Sequence, residues 1–187
     1  MPPKPKSLKG HLLLDSGQLG QSWFARTVVL ICQHDDDGAF GLVLNRKAPS
    51  KMGDVLVADM PEALKEAQLF LGGPVQPSAL SYLHTEKFLP DGNVIPNLNL
   101  GHALDELVLI SDSFSPTSKL RVFAGYSGWG PKQLEGELAR KAWLTIPASL
   151  DLIFEVPSAE LWATVLRRLG GWRNLLLATR PEDPTLN

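Results

Sequence analysis

The sequence predicts one α/β domain on the border with α+β, a mixed sheet of about seven strands with helices on its faces. Three observations carry the prediction. Short apolar runs rich in Val, Ile and Leu, bounded by Gly, Pro and Asp, recur along the chain and read as strands. Between them lie stretches with apolar residues three and four apart, the spacing of a helix face. The 187 residues, 44% hydrophobic and 20% charged, hold no repeat, linker or low-complexity block, so a single core is the default. The domain is expected over residues 10–178, after a disordered Lys/Pro-rich arm at 1–9 and before a loose polar tail at 179–187.

The elements follow in order. His11–Leu14 reads as a short buried strand. Thr27–His34 and Ala39–Asn45 are strands joined through Asp37-Gly38, a hairpin signal because glycine takes positive φ at no steric cost. Both runs are apolar on both faces, which places the hairpin centrally in a covered sheet. Gly53–Ala67 is helical in character but broken by Pro61, giving a turn and then a helix that starts at Pro61. Leu69–Leu71 is a strand ending in Gly72-Gly73-Pro74-Val75, and Ala79–His84 is another. Pro90–Asn93 is a turn. Val94-Ile95 and Leu98–Leu100 alternate like an edge strand, since Pro96 argues against a central one. Ala103–Ile110 is a short helix, and Phe114–Ser118 a loop leading to the strand Leu120–Ala124. Trp143–Ile146 is a strand closed by Pro147, and Leu152–Phe154 a further short piece. Ser158 caps a last helix that turns Leu161, Val165, Leu166 and Leu169 inward and ends at Gly170-Gly171.

The most distinctive block is Gly125–Leu138. It reads as a strand exit, a glycine-rich turn and a helix, with Gly125, Gly128 and Gly130 loosening the turn and Pro131 at the first helical position. Leu134, Leu138 and Ala142 form one stripe of that helix. Tyr126 and Trp129 sit within the turn itself.

Charge narrows the function classes. The net charge is −2, and no helix carries a row of Lys and Arg, so a nucleic-acid partner is disfavoured. The single cysteine, Cys32, cannot form an internal disulfide, which fits a reducing compartment. Leu12–Leu14 is too short for a signal-peptide core, and nothing approaches the ~20 apolar residues of a membrane helix. A cytoplasmic protein without a membrane is expected.

Four blocks carry a family resemblance: Phe24–His34, Gly38–Arg46, Gly72–Val75 and Gly125–Leu138. In this order and spacing the chain resembles the YqgE/AlgH family, over roughly Gly10 to Gly170. The resemblance implies an α/β domain with a curled, barrel-like sheet. It implies no established activity; the family's transcriptional-regulator label says little of mechanism. Ser127 stands where that family commonly has Ala, and Gln33 where it often has Glu.

Each candidate chemistry has a plain alternative. Strand, tight turn, serine and helix is the layout of a nucleophile elbow around Ser127. Trp129 occupies the place of that motif's last glycine, and no histidine follows Ser127, so a small turn residue is the expectation. His34-Asp35-Asp36-Asp37 looks metal-like, yet a solvated hairpin explains it; no metal or other cofactor is expected. The Pro131 helix start could attract an anion. Asn45, Arg46, Gly72, Gly73, Tyr126, Trp129 and Gln133 cluster at strand ends, where ligands of α/β sheets collect, and form the candidate cleft. The leading expectation is a non-catalytic binding or regulatory module for a small molecule or a protein. An enzyme acting on a small anionic or amide substrate in that cleft comes second, and a DNA-binding regulator third.

Overall fold

The protein is organised about a hairpin and one long strand. The structure, a computed structural model, describes residues 7–56, 59–86, 93–112 and 117–179. Strands β1 (His11–Asp15), β2 (Val28–Asp35) and β3 (Gly38–Val43) form an antiparallel meander, with Leu13 opposite Val29 and Val29 opposite Val43. Asp35 pairs with Gly38 across the expected hairpin. Gly38 has φ +133°, and a Cβ there would sit 2.1 Å from the Trp129 carbonyl oxygen. The glycine is therefore needed for the approach of another strand as well as for the turn.

That other strand is β8 (Leu120–Trp129), and it corrects the sequence reading. The glycine-rich stretch Gly125–Trp129 is strand, not turn. Gly125, at φ +69°, bends the strand without ending it, and the pairs Ala39–Trp129 and Gly41–Ser127 continue the ladder to β3. Earlier in its course β8 runs parallel to β5 (Gln68–Leu71) and antiparallel to β6 (Val75–His84). With β4 (Lys47–Lys51), β7 (Asn99–Gly101) and β9 (Trp143–Pro147) the sheet has nine strands among the described residues. Its main path is β4-β5-β8-β3-β2-β1-β9, with β6 pairing β8 and β7 pairing β6. The sheet is open, with β4 and β9 at its ends, so the barrel-like curl implied by the family does not close. The central place of the β2–β3 hairpin and the edge place of β7 agree with the sequence. Strand β4 was not legible, because Lys47-Ala48-Pro49-Ser50-Lys51 is polar; an edge strand tolerates its proline and is guarded by its lysines.

The helices fill both faces. Short α1 (Met52–Val55) and α2 (Glu62–Lys65) replace the broken helix, with Pro61 at the cap of α2. Helix α3 is Leu104–Asp112. Helix α4 (Gln133–Ala139) begins later than expected, because Lys132 at its cap takes φ 61° and leaves Pro131 in the turn before it. Leu150–Phe154 is helical (α5). Helix α6 (Ser158–Leu169) has Pro157 rather than Ser158 at its cap, and Gly170, at φ 68°, ends it. A further helix, α7 (Trp172–Thr179), follows Gly171 and was not anticipated.

Alternation along the strands divides the core. Leu12, Leu14, Leu30, Leu42 and Leu44 pack with Leu152, Leu161, Trp162 and Val165 of α5 and α6. Leu13, Val29, Ile31 and Val43, on the opposite face, pack with Trp129, Leu134 and Trp143. Met52, Leu64, Leu69, Tyr82, Leu107 and Val122 form a third cluster under α1–α3. Burying each such side chain contributes about 1.5–3 kcal/mol. Of the expected arm, Ser7 and Leu8 are tied down: Ser7 Oγ donates to the His34 carbonyl and Leu8 N–H to His34 Nδ1. Residues 1–6 of that arm, nearly all of the tail, most of the Pro90–Asn93 turn and part of the Phe114–Ser118 loop lie outside the described residues.

Candidate functional site

Six of the seven strand-end residues fall into three pairs, and Tyr126 stands apart from them. Gly72 and Gly73 lie against β8; a Cβ on Gly73 would come within 2.1 Å of the Tyr126 backbone, and one on Gly72 within 2.3 Å of the Gly125 carbonyl oxygen. Asn45 bridges backbone, accepting from Val28 N–H at 2.9 Å and donating to the Arg26 carbonyl at 2.8 Å. Arg46 beside it lies over the Trp23 ring, 4.5 Å from the centroid. Trp129 and Gln133 converge on Glu137: Trp129 Nε1 donates to Oε2 and Gln133 Nε2 to Oε1. Tyr126 and Trp129 face opposite sides of β8. Tyr126 stacks on Phe40 at 4.9 Å in one cluster, and Trp129 is buried in another.

The other candidates settle into structural places. Ser127 is fully buried, and its hydroxyl donates to the Gly72 carbonyl at 3.0 Å, so it is the hydrogen-bonded residue that locks the Gly72-Gly73 turn to β8. His34 accepts the Leu8 N–H on Nδ1, which leaves Nε2 to donate to Glu135 Oε1 at 3.1 Å. Asp35 Oδ1 accepts the Asp37 N–H within the hairpin. Among the described residues no group of three or more His, Cys, Asp and Glu is placed to hold a metal. Cys32 is buried, and burial pushes its thiol pKa far above the ordinary range. The Gly130 N–H at the α4 start is taken by Gln133 Oε1.

A different site stands at the other end of β8. A cleft of about 460 Å³ opens where β5 and β8 begin, between α2 and α5. Its polar side chains are Gln68, Ser111, Ser118, Lys119 and Arg121, and its apolar wall includes Leu64, Phe70, Val122 and Phe154. Arg121 is only 9% exposed. Its guanidinium carbon lies 4.5 Å from the Phe70 ring centroid and 6.0 Å from that of Phe154. One nitrogen, Nη1, donates to the Leu44 carbonyl at 3.0 Å. A guanidinium carries five N–H donors. Among the described residues no carboxylate pairs with Arg121, and it makes no second hydrogen bond. Desolvation lowers its pKa to about 10, which keeps it charged at neutral pH. A second cleft of about 440 Å³ adjoins the first through Ser118, Lys119 and Phe154 and adds Glu86 and Glu155. The shared rim is held in place: Ser118 Oγ donates to Glu86, and Lys119 N–H donates to Thr85 Oγ1 at 2.8 Å.

Sequence reasoning missed Arg121 because Leu120-Arg121-Val122-Phe123-Ala124 reads as an apolar strand run. The signal was the arginine itself. A charge inside a strand with apolar neighbours is either turned to an edge or buried, and a buried charge is the informative case.

Comparison with known proteins gives the chain's relatives. The model of the AlgH-like family matches residues 12–174. A UPF0301 protein of Shewanella denitrificans is 39% identical over 170 residues, covering 88% of this chain and 92% of its own. One of Myxococcus xanthus is 37% identical over 169 residues, covering 88% and 92%. The solution structure of the AlgH protein from Pseudomonas aeruginosa superposes with a TM-score of 0.75 at 31% identity, covering 98% of this chain and 100% of that one. A crystal structure of a Corynebacterium diphtheriae protein gives the same TM-score of 0.75 at 22% identity and shows the fold alone. The chain belongs to the AlgH-like family.

Proposed function

We propose that this chain is a non-catalytic binding module whose ligand seat is the cleft around Arg121. One observation carries the reading: a buried guanidinium with a single hydrogen bond, and no carboxylate partner among the described residues, lines a 460 Å³ cleft. Burying a charge without a partner is costly, and a fold that bears this cost gains from it when an anion arrives. The cleft's polar side chains can hold an anion, and among the described residues that line it there is neither an imidazole nor a carboxylate to move a proton; Glu86 and Glu155 belong to the adjoining cleft. This supports binding over the reading as an enzyme on a small anionic substrate. The net charge of −2 supports a small-molecule or protein partner over DNA. The lone cysteine, which cannot form an internal disulfide, fits a cytoplasmic setting; among the described residues no helix is long and apolar enough to cross a membrane. In this reading the strand-end set, Asn45, Arg46, Gly72, Gly73, Tyr126, Trp129 and Gln133, is the frame that fixes β8. Native mass spectrometry of the protein purified from cells tests it. The intact protein is expected to carry a small acidic adduct that Arg121→Gln loses; an adduct kept equally by the variant would contradict the reading.

A further inference from the structure

We propose that the Arg121 cleft takes a small organic monocarboxylate with an aliphatic body. The inference rests on the reading of that cleft as a ligand seat and names what fills it.

The charged end follows from Arg121. Its planar fork matches a carboxylate with two parallel N–H···O bonds, a geometry that an ammonium cannot offer. The guanidinium is held beside Phe70 at 4.5 Å, with Phe154 at 6.0 Å, and by the bond to the Leu44 carbonyl. A fork held on rigid strands and rings loses little freedom when an anion docks.

The charge count follows from what surrounds it. Among the described residues that line the cleft, Arg121 is the one buried cation, and Lys119 is an exposed cation at its rim. The adjoining cleft contributes Glu86, which holds Ser118, and Glu155. This field matches a single negative charge. A phosphate dianion would carry a second charge, and beside Arg121 the described lining offers only the exposed Lys119 to meet it.

The apolar end follows from the wall. Ala63, Leu64 and Ala67 on the α2 side and Leu120 and Val122 of β8 line the cleft together with Arg121. These apolar side chains offer methyl and methylene groups and no hydrogen-bond partner, so they suit an aliphatic chain, not a sugar or an amide. The 460 Å³ volume lies at the small end of the range of about 300–1,000 Å³ for small-molecule sites.

Calorimetric titration of the full chain with octanoate, octanamide and inorganic phosphate tests this. Octanoate is expected to bind, and octanamide, equal in length but uncharged, to bind at least about tenfold more weakly. Arg121→Gln should weaken octanoate by about tenfold or more and leave octanamide unchanged. Ala63→Phe, which fills the apolar half from an exposed position, should weaken octanoate in a protein whose core is untouched. Circular dichroism establishes that each variant is folded; if Arg121→Gln is not, Arg121→Lys, which keeps the charge and loses the fork, replaces it with the same expectation. Equal binding of octanoate and octanamide, or octanoate binding indifferent to both variants, overturns the proposal. Phosphate binding with octanoate silent overturns the ligand class and leaves the seat standing. Heat from none of the three overturns the ligand class and the seat together.

Discussion

Trp129 and Trp143 donate their indole N–H groups to the same oxygen, Glu137 Oε2, at 2.9 and 2.7 Å. Their rings meet edge to face with centroids 6.2 Å apart, and Phe24 packs edge-on against Trp143 at 5.7 Å. One carboxylate on α4 thus satisfies the indole N–H groups of both Trp129 and Trp143. Glu137→Ala should cost about 2–4 kcal/mol, because two largely buried donors lose their acceptor. Glu137→Gln keeps an acceptor oxygen and should cost less. Trp129→Ala should cost about 3–5 kcal/mol. Urea unfolding measures all three, and a loss below about 1 kcal/mol for Glu137→Ala would contradict the shared-acceptor account.

The contact of Gly72-Gly73 with β8 gives a second contrast. Ser127→Ala removes one buried hydrogen bond, but the Gly72 carbonyl still accepts the Val43 N–H at 2.9 Å, so the cost should be about 0.5–1.5 kcal/mol. Gly73→Ala drives a methyl into the Tyr126 backbone and should cost more than about 3 kcal/mol. Thermal melts rank the two, and a reversed order would contradict the packing described for this turn.

Sequence reasoning reached the central hairpin because Val28–Ile31 and Leu42-Val43 are apolar on both faces and Asp37-Gly38 closes the turn. It failed at Gly125–Trp129 for a long-range reason. Gly125 lies against Gly73, and Trp129 and Gly130 against Gly38, both far away in the chain, whereas local propensity reads the glycines as a turn. It missed α7 because Trp172–Thr179 follows two glycines that end α6, and a stop signal gives no notice of a restart. Arg121 was hidden because its meaning depends on Phe70, Phe154 and Leu44, which only the folded sheet brings around it.

Arg121→Met separates ligand holding from scaffolding. In the ligand-free protein the variant removes a buried, unpaired charge and keeps an apolar side chain between Phe70 and Phe154. Stability should hold or rise by about 1–2 kcal/mol, the lost bond to the Leu44 carbonyl being offset by relief of desolvation. Denaturant unfolding measures this. Destabilisation by more than about 2 kcal/mol would assign Arg121 to the scaffold.

His84 makes stability depend on pH. It is 1% exposed, and neither ring nitrogen has a partner among the described residues. Burial holds its pKa below 6.5, with Glu106 and Glu86 opposing the shift. The folded state therefore keeps the ring neutral while the unfolded chain takes up a proton near pH 6.5. Stability should fall as pH drops through 6.5 and level off below the folded-state pKa. His84→Phe should flatten that slope in melts recorded across the window, and an unchanged slope would contradict it.

The account's central claim is the location of the ligand seat. Amide and guanidinium NMR shifts of the full chain, followed as octanoate is added, report that location residue by residue. The account predicts that the shifts concentrate on Gln68, Ser118, Lys119, Phe154 and the Arg121 side chain, and that Arg121→Gln removes them. Shifts concentrated instead on Arg46, Gly73, Tyr126 and Gln133 would contradict it and place the seat at the opposite end of β8.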